Sequence, residues 1–188
     1  MASEKKRTRV FYSLLKRTVW LSGWLTKKSS ALVSEALEKL DKESDDPIFF
    51  VVANCLGGDN IASLKIHHAL HNAESKIKTI GVGRVESGAL MILQGGDERF
   101  ATPNCRLKFH QACVKLPKGL IFNGEALNEM GRHLLQSDAV EIYILTSRGS
   151  PAEKIIGLLR EDATINSKQA LKLKMIDGIW KLPISRPR

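Results

Sequence analysis

The chain lacks long apolar runs and has few cysteines. It contains no run of the ~18 apolar residues that a membrane span requires. Residues 1–9 are polar and basic, and Lys16 and Arg17 interrupt the apolar residues after them, which predicts no secretory signal. Cys55, Cys105 and Cys113 form no Cys-x-x-Cys pair. This usage fits the cytoplasm or a reducing organelle lumen and predicts no structural zinc.

Basic residues outnumber acidic ones, with 29 Lys and Arg against 20 Asp and Glu, so the formal charge is +9. Nucleic-acid-binding proteins often show such an excess. Here the basic residues cluster only at residues 5–9, at Lys27 and Lys28, and at residues 181–188. The sequence contains no Arg-rich helix and no surface that mixes basic and aromatic side chains. We therefore expect no functional nucleic-acid partner, and the excess charge fits a basic surface that faces an acidic partner.

The sequence contains no internal linker, low-complexity tract or repeat, and its 188 residues suit one well-buried domain. Its apolar pattern alternates between strand and helix lengths. The predicted strands are 17–21, 47–53, 77–82 and 106–110, and the predicted helices are 30–40, 59–72, 88–93, 123–147, 151–160 and 167–174. The continuous apolar run at 47–53 favours a strand covered on both faces, as in a parallel sheet. The sequence thus predicts a single α/β domain of successive strand–turn–helix units.

Several polar residues lie where this pattern changes from one element to the next. Ligands bind at such points in α/β folds, and the Gly57-Gly58 pair and Ser87 both follow predicted strands. His110 ends an alternating run, and Asp162 lies in a polar turn. A serine becomes nucleophilic when an imidazole takes its proton and a carboxylate orients that imidazole. Taken singly, the serine is more typical of a helix cap and the histidine of a hydrogen-bonded strand residue.

Four segments match, in order, the motifs of one family. Asn54-Cys-Leu-Gly-Gly58 is similar to an Asn-Ser-Pro-Gly-Gly oxyanion loop, and Gly83-Arg-Val-Glu-Ser87 to a Gly-x-Ala-Ala-Ser nucleophile segment. Arg99-Phe-Ala-Thr-Pro-Asn-Cys-Arg-Leu-Lys-Phe-His-Gln111 is close to Arg-x-Ala-x-Pro-Asn-(Ser/Ala)-x-x-x-x-His-Gln, the most specific match. Asp162-Ala-Thr-Ile-Asn-Ser-Lys-Gln-Ala170 resembles the family's acid segment. Over about residues 11 to 180 the chain resembles the Clp protease proteolytic subunit (ClpP) family.

The resemblance implies a ClpP/crotonase-like α/β fold and a serine endopeptidase. It implies Ser87 as the nucleophile, His110 as the general base and Asp162 as its orienting acid. The backbone N–H groups of Gly58 and Gly88 would lie at the oxyanion hole. No cofactor is expected in this chain, since ATP would be used only by a partner unfoldase.

The resemblance also implies an assembly. Residues 1–10 would be a short basic segment, and residues 11–188 a single ClpP-like domain. The long helix at about 123–147 matches the family's handle helix, which packs two seven-membered rings together. We therefore expect a fourteen-subunit barrel, built from this chain alone or with a paralogue and fed by a ring-shaped ATPase.

Departures from the family pattern leave other functions open. Leu56 replaces a proline, Glu86 a small alanine, and Gly88 a methionine. A second possibility is therefore a catalytically impaired or regulatory subunit that assembles with an active paralogue. A third is a crotonase-like acyl-CoA enzyme, which the matched Ser–His–Asp set disfavours. His67 and His71 have i, i+4 spacing but no His-Glu-x-x-His motif, so we expect no metal site.

Overall fold

The computed structural model describes residues 8–116, 118–184 and 186, so residues 1–7 of the predicted basic segment lie outside it. Within these ranges, eight strands form one mixed sheet. The strands are β1 (Arg9–Ser13), β2 (Thr18–Leu25), β3 (Ile48–Gly58), β4 (Ile77–Glu86), β5 (Glu98–Ala101), β6 (Arg106–Lys108), β7 (Thr164–Asn166) and β8 (Gly178–Ile179). The helices are α1 (Lys27–Glu43), α2 (Asn60–His71), α3 (Gly88–Gln94), α4 (Gly124–Thr146), α5 (Ala152–Arg160) and α6 (Ser167–Lys172).

The sheet divides in two along β4. Its main path runs β1-β2-β3-β4-β5-β8, with β1 antiparallel to β2 and the other neighbours parallel. Residues 78–81 of β4 pair with β5, whereas residues 84–86 pair with β6. β7 pairs antiparallel with β6. β3 pairs with both parts of β4, so only the neighbour on the other side of β4 changes, from β5 to β6.

Three strands continue past the glycines at which the sequence predicted their ends. β2 continues beyond Gly23 and β4 beyond Gly83, and β3 includes Gly57 and Gly58. Gly23 and Gly83 have φ values of 88° and 66°, and the β2–β3 register shifts at Gly23. A glycine with positive φ lets a strand bulge and then resume pairing. The predicted ends of these strands were therefore wrong.

Short elements differ most from the prediction. β6 ends at Lys108, so His110 lies beyond the strand in which it was expected. β7 and β8 have three and two residues and were not predicted, because a run that short has no readable periodicity. The helix predicted at 30–40 is longer at both ends, from Lys27 to Glu43. Its earlier start is explained by Thr26 and Ser29, which form a reciprocal capping box there.

The core lies between the sheet and the helices that cover it. β3 is parallel to both β2 and β4, and Val51, Val52 and Ala53 are buried, which confirms the strand covered on both faces. α1 buries an apolar stripe that includes Val33 and Leu40 against this core. Within the described ranges, no helix has the length and apolar character needed to cross a membrane.

Candidate active site

The change of neighbours along β4 brings three distant segments to one place. Glu86, the last residue of β4, lies opposite Lys108, the last residue of β6. Ser87 follows Glu86 directly, and His110 is two residues beyond Lys108. β7 runs antiparallel to β6 and begins two residues after Asp162. All three residues of the proposed triad therefore belong to segments that meet at the carboxyl end of β4.

Ser87 occupies a sharp turn between β4 and α3. Its φ and ψ angles are 52° and −131°, a combination that costs energy for any residue except glycine. Its N–H donates to the carbonyl oxygen of Lys108 at 3.0 Å. The side chain makes no capping hydrogen bond, although Ser87 stands at the N-cap position of α3. The backbone thus holds Ser87 in a strained strand-to-helix turn of the kind that presents a nucleophilic Oγ.

The glycine pair of β3 packs against two different neighbours. A Cβ atom on Gly57 would lie 2.8 Å from both the Cβ of Ser87 and the carbonyl oxygen of Glu86. A Cβ atom on Gly58 would instead lie 2.6 Å from the carbonyl oxygen of Leu25. Both glycines have positive φ, 74° and 143°. Gly57 is therefore the glycine that contacts the serine, a role that the sequence pattern did not distinguish from that of Gly58.

Gly88, the other proposed oxyanion residue, packs against α2. A Cβ atom here would collide with Ser63 Oγ and would lie 2.9 Å from Ser63 Cβ. Ser63 is fully buried, and its Oγ donates to the carbonyl oxygen of Asp59 at 3.0 Å. Ser63 therefore fills the space that a side chain at position 88 would need. Glycine in place of the family's methionine therefore leaves room for the buried side chain of Ser63.

His110 and Asp162 are each bonded to other groups. His110 Nδ1 lies 2.8 Å from the carbonyl oxygen of Gln111, and Asp162 Oδ2 lies 3.2 Å from Lys108 Nζ. A carbonyl oxygen only accepts hydrogen bonds, so Nδ1 carries the proton and Nε2 of the neutral ring is left as a proton acceptor. In the described part of the chain, no hydrogen bond or ion pair joins His110 to Ser87 or to Asp162. The structure gathers the three segments without coupling their side chains.

The carboxylate of Glu86 is engaged beside the site. Its Oε1 accepts from Arg84 Nε at 2.6 Å, and its side chain is only 13% exposed. Asn54 Oδ1 accepts a hydrogen bond from the N–H of Arg84 at 3.2 Å. Asn54, whose φ is 48°, thereby connects the end of β3 that contains Gly57 and Gly58 to β4. Burial, with a smaller contribution from the charge of Glu86, raises the pKa of Cys55 to about 12. Cys55 is buried and therefore a poor nucleophile.

Histidine and acidic side chains are also possible metal ligands among the residues that the structure describes. In residues 8–116, 118–184 and 186, no three His, Cys, Asp or Glu side chains are arranged to hold a metal ion. The rings of His67 and His71 stack with centroids 6.3 Å apart. His67 Nδ1 is bonded to the carbonyl oxygen of Met91 at 2.8 Å, so this nitrogen links α2 to α3.

Comparison with known proteins gives a consistent result. The model of the Clp protease family matches residues 3–182. Three ATP-dependent Clp protease proteolytic subunits from Dehalococcoides mccartyi strains are similar, one at 29% identity and two at 27%. Each alignment spans 177 residues, 92% of this chain and 86% of the relative. A ClpP1 mutant from Listeria monocytogenes has a similar structure, with a TM-score of 0.78, 23% identity, and coverage of 90% of this chain and 94% of that chain. The chain has the ClpP/crotonase-like fold.

Proposed function

Because the chain belongs to the Clp protease family, we propose that it is a serine endopeptidase with Ser87, His110 and Asp162 as its triad. One observation carries this assignment beyond the family match. Ser87 is held at φ 52° at the junction of β4 and α3, and its amide is fixed by the carbonyl of Lys108. Strained non-glycine backbone of this kind clusters at functional sites.

The first half of the reaction forms an acyl-enzyme. Ser87 Oγ attacks the peptide carbonyl carbon while His110 Nε2 takes the hydroxyl proton. The negative charge that develops on the carbonyl oxygen is stabilised by the N–H groups of Gly58 and Gly88. His110 then gives its proton to the leaving amine as the carbon–nitrogen bond breaks. Asp162 orients the imidazole and stabilises its charged form.

The second half releases the acyl group with water. His110 takes a proton from the water as its oxygen attacks the acyl carbon, and a second tetrahedral species forms. Its collapse breaks the bond to Ser87 Oγ, which recovers the proton from His110. The products are an amine, released earlier, and a carboxylic acid. No step requires a cofactor in this chain.

We also propose that the chain works in an assembly of stacked seven-membered rings, alone or with a paralogue, and receives substrates from an ATP-dependent unfoldase. Support comes from the apolar surface of α4 and of the segment before it. This surface consists of Leu120, Ile121, Leu127, Leu135 and Tyr143, which are between 49% and 97% exposed in the single chain. An apolar surface of this kind is typical of a protein interface. A relative's name, ATP-dependent Clp protease proteolytic subunit, motivates the unfoldase.

Replacement of the nucleophile tests the proposed chemistry. Ser87→Ala should abolish both the hydrolysis of a fluorogenic peptide and labelling by a fluorophosphonate, because no other group would attack the carbonyl or the phosphorus. Ser34→Ala, an exposed serine on α1, is the matched control and should behave as the unmodified protein. Equal labelling of the Ser87→Ala variant would show that the assignment of the nucleophile is wrong.

A regulatory subunit that assembles with an active paralogue is the second candidate. The specific observation in its favour is the bonding of His110 to Gln111 and of Asp162 to Lys108, which leaves the triad uncoupled. Labelling of the native assembly distinguishes the two candidates. An assembled protein that does not react with the fluorophosphonate, alone or with a paralogue's active site blocked, would favour the regulatory function.

A further inference from the structure

Lys108 contacts both ends of the proposed triad. Its carbonyl oxygen accepts the N–H of Ser87 at 3.0 Å. Its side-chain Nζ lies 3.2 Å from Oδ2 of Asp162. Phe109, the residue between Lys108 and His110, is fully buried and holds this part of the backbone against the core. One residue thus fixes the backbone of the nucleophile and binds the carboxylate of the acid.

The carboxylate of Asp162 has two possible partners at this strand end. The ammonium group of Lys108 offers a charge-assisted hydrogen bond, whereas the neutral ring of His110 offers an ordinary N–H. The N–H of His110 is satisfied elsewhere, by the carbonyl oxygen of Gln111 at 2.8 Å. While the imidazole is neutral, Asp162 is therefore better satisfied by Lys108 than by His110.

The other carboxylate near Lys108 is already occupied. Glu86 lies opposite Lys108 in the β4–β6 register. Arg84 Nε lies 2.6 Å from Oε1 of Glu86, and the side chain of Glu86 is only 13% exposed. On these elements Arg84 pairs with Glu86 and Lys108 pairs with Asp162, whereas Arg106 of β6 lies opposite Arg84 and Asn166.

We propose that Lys108 is a positioning residue that holds Asp162 away from His110 in the resting site. This proposal rests on the proposed function, since it assigns Asp162 and His110 their roles in the triad. Lys108 gives up Asp162 when His110 becomes positively charged and competes for the carboxylate. The residue therefore sets how readily the triad couples, while its backbone keeps the serine in place.

The proposal is tested on the full-length assembled protein with four variants. Lys108→Met removes the charge and keeps the length of the side chain, and Lys108→Arg keeps the charge. Lys78→Met is the matched control, because Lys78 forms a comparable ion pair with Glu98 at 3.1 Å near the opposite end of β4. Lys108→Gln is a second neutral variant, to be used if the methionine variant does not fold. Two quantities are measured: the rate of Ser87 labelling by a fluorophosphonate, and the pH at which diethyl pyrocarbonate modifies His110 at half its maximal rate.

Removal of the charge should change both quantities. Labelling of Lys108→Met should be about two- to five-fold faster, the range expected from an ion pair of this exposure. The half-maximal pH for modification of His110 should rise by roughly half a unit, because the freed carboxylate stabilises the imidazolium. Lys108→Arg and Lys78→Met should match the unmodified protein in both measurements.

The two measurements separate failure of this proposal from failure of the proposed function. If the unmodified protein is not labelled at all, the peptidase function is wrong, and the modification of His110 alone decides the role of Lys108. An unchanged half-maximal pH in the neutral variant overturns the proposal. So does a labelling rate in that variant that is equal to or lower than that of a reactive unmodified protein.

Discussion

The backbone at residue 57 lies so close to Ser87 that a methyl group has no space there. A Cβ atom would lie 2.8 Å from the Cβ of Ser87, and φ is 74°, which disfavours any residue but glycine. We expect Gly57→Ala to displace Ser87 or the loop around it and to lower kcat/KM by at least about tenfold, since small displacements of reacting groups carry large penalties.

The control for this substitution is Gly157→Ala in α5. A Cβ atom there meets nothing within 4 Å, so the alanine should leave kcat/KM unchanged and raise helix stability by about 0.5–1 kcal/mol. Both variants are compared by peptide hydrolysis and by thermal unfolding. An active Gly57→Ala variant would mean that the loop relaxes without moving the serine.

Single residues of the site were predicted unevenly from the sequence. Ser87, His110 and Asp162 were predicted because each belongs to a recognisable segment, and their roles stay a prediction, although the structure brings the three segments together. The contact of Gly57 with Ser87 depends on the φ angle of Gly57, and the sequence does not show which φ angle a glycine adopts. Lys108 was missed because its partner is 54 residues away in the chain, and only the β6–β7 pairing brings the two together.

At the scale of elements, α4 buries two carboxylates three residues apart. Asp138 accepts the N–H of Ala112 at 2.6 Å, whereas Oε1 of Glu141 has no partner among the described residues. Burial, and secondarily the charge of Asp138, raise the pKa of Glu141 from 4.5 to about 7. In the unfolded chain the same group loses its proton near 4.5, so the folded state loses stability as the pH rises from about 4.5 to 7.

Glu141→Gln should remove this loss. At pH 8 the variant should be more stable than the unmodified protein by roughly 2–3 kcal/mol, and the difference should vanish near pH 4. Glu129→Gln, on an exposed part of the same helix, should show no such dependence. Thermal unfolding at matched protein concentration across this pH range measures the effect. A difference that does not vary with pH would argue against a proton on Glu141.

Elements were predicted well in type and less well in extent. The longer helices follow from apolar periodicity and the buried parallel strand follows from a continuous apolar run, and both are local properties of the sequence. The ends of β2, β3 and β4 were wrong because glycine was taken to end a strand. In the fold these glycines produce bulges, and whether pairing resumes after a bulge depends on the neighbouring strand. β7 and β8 are strands only because they pair with β6 and β5, and such pairing cannot be predicted from the sequence of one segment alone.

At the scale of the whole molecule, the apolar surface of α4 predicts an assembly. Leu135→Glu combined with Tyr143→Glu places two charges on side chains that are 66% and 74% exposed in the single chain. If this surface packs against another ring, the burial of those charges should split the particle into single rings or smaller species. Native mass measurement gives the result, and Leu182→Glu, at a 67% exposed residue outside α4, is the control. An intact particle in the double variant would place the ring contact elsewhere.

The division of the sheet at β4 has a mechanical consequence. β6 and β7 are paired to each other, yet within the described chain β6 reaches the rest of the sheet only through three register positions of β4. The segments that carry His110 and Asp162 are therefore joined by the β6–β7 pairing. They are linked to the Ser87 turn by the bond from the Ser87 N–H to the carbonyl oxygen of Lys108 and by the pairing of β6 with β4. If β6 separates from β4, the bond between Ser87 and Lys108 breaks and the distance from serine to histidine changes, while the β6–β7 pairing is retained. Amide hydrogen exchange should then show residues 84–86 and 106–108 opening together, ahead of β3 and the first half of β4.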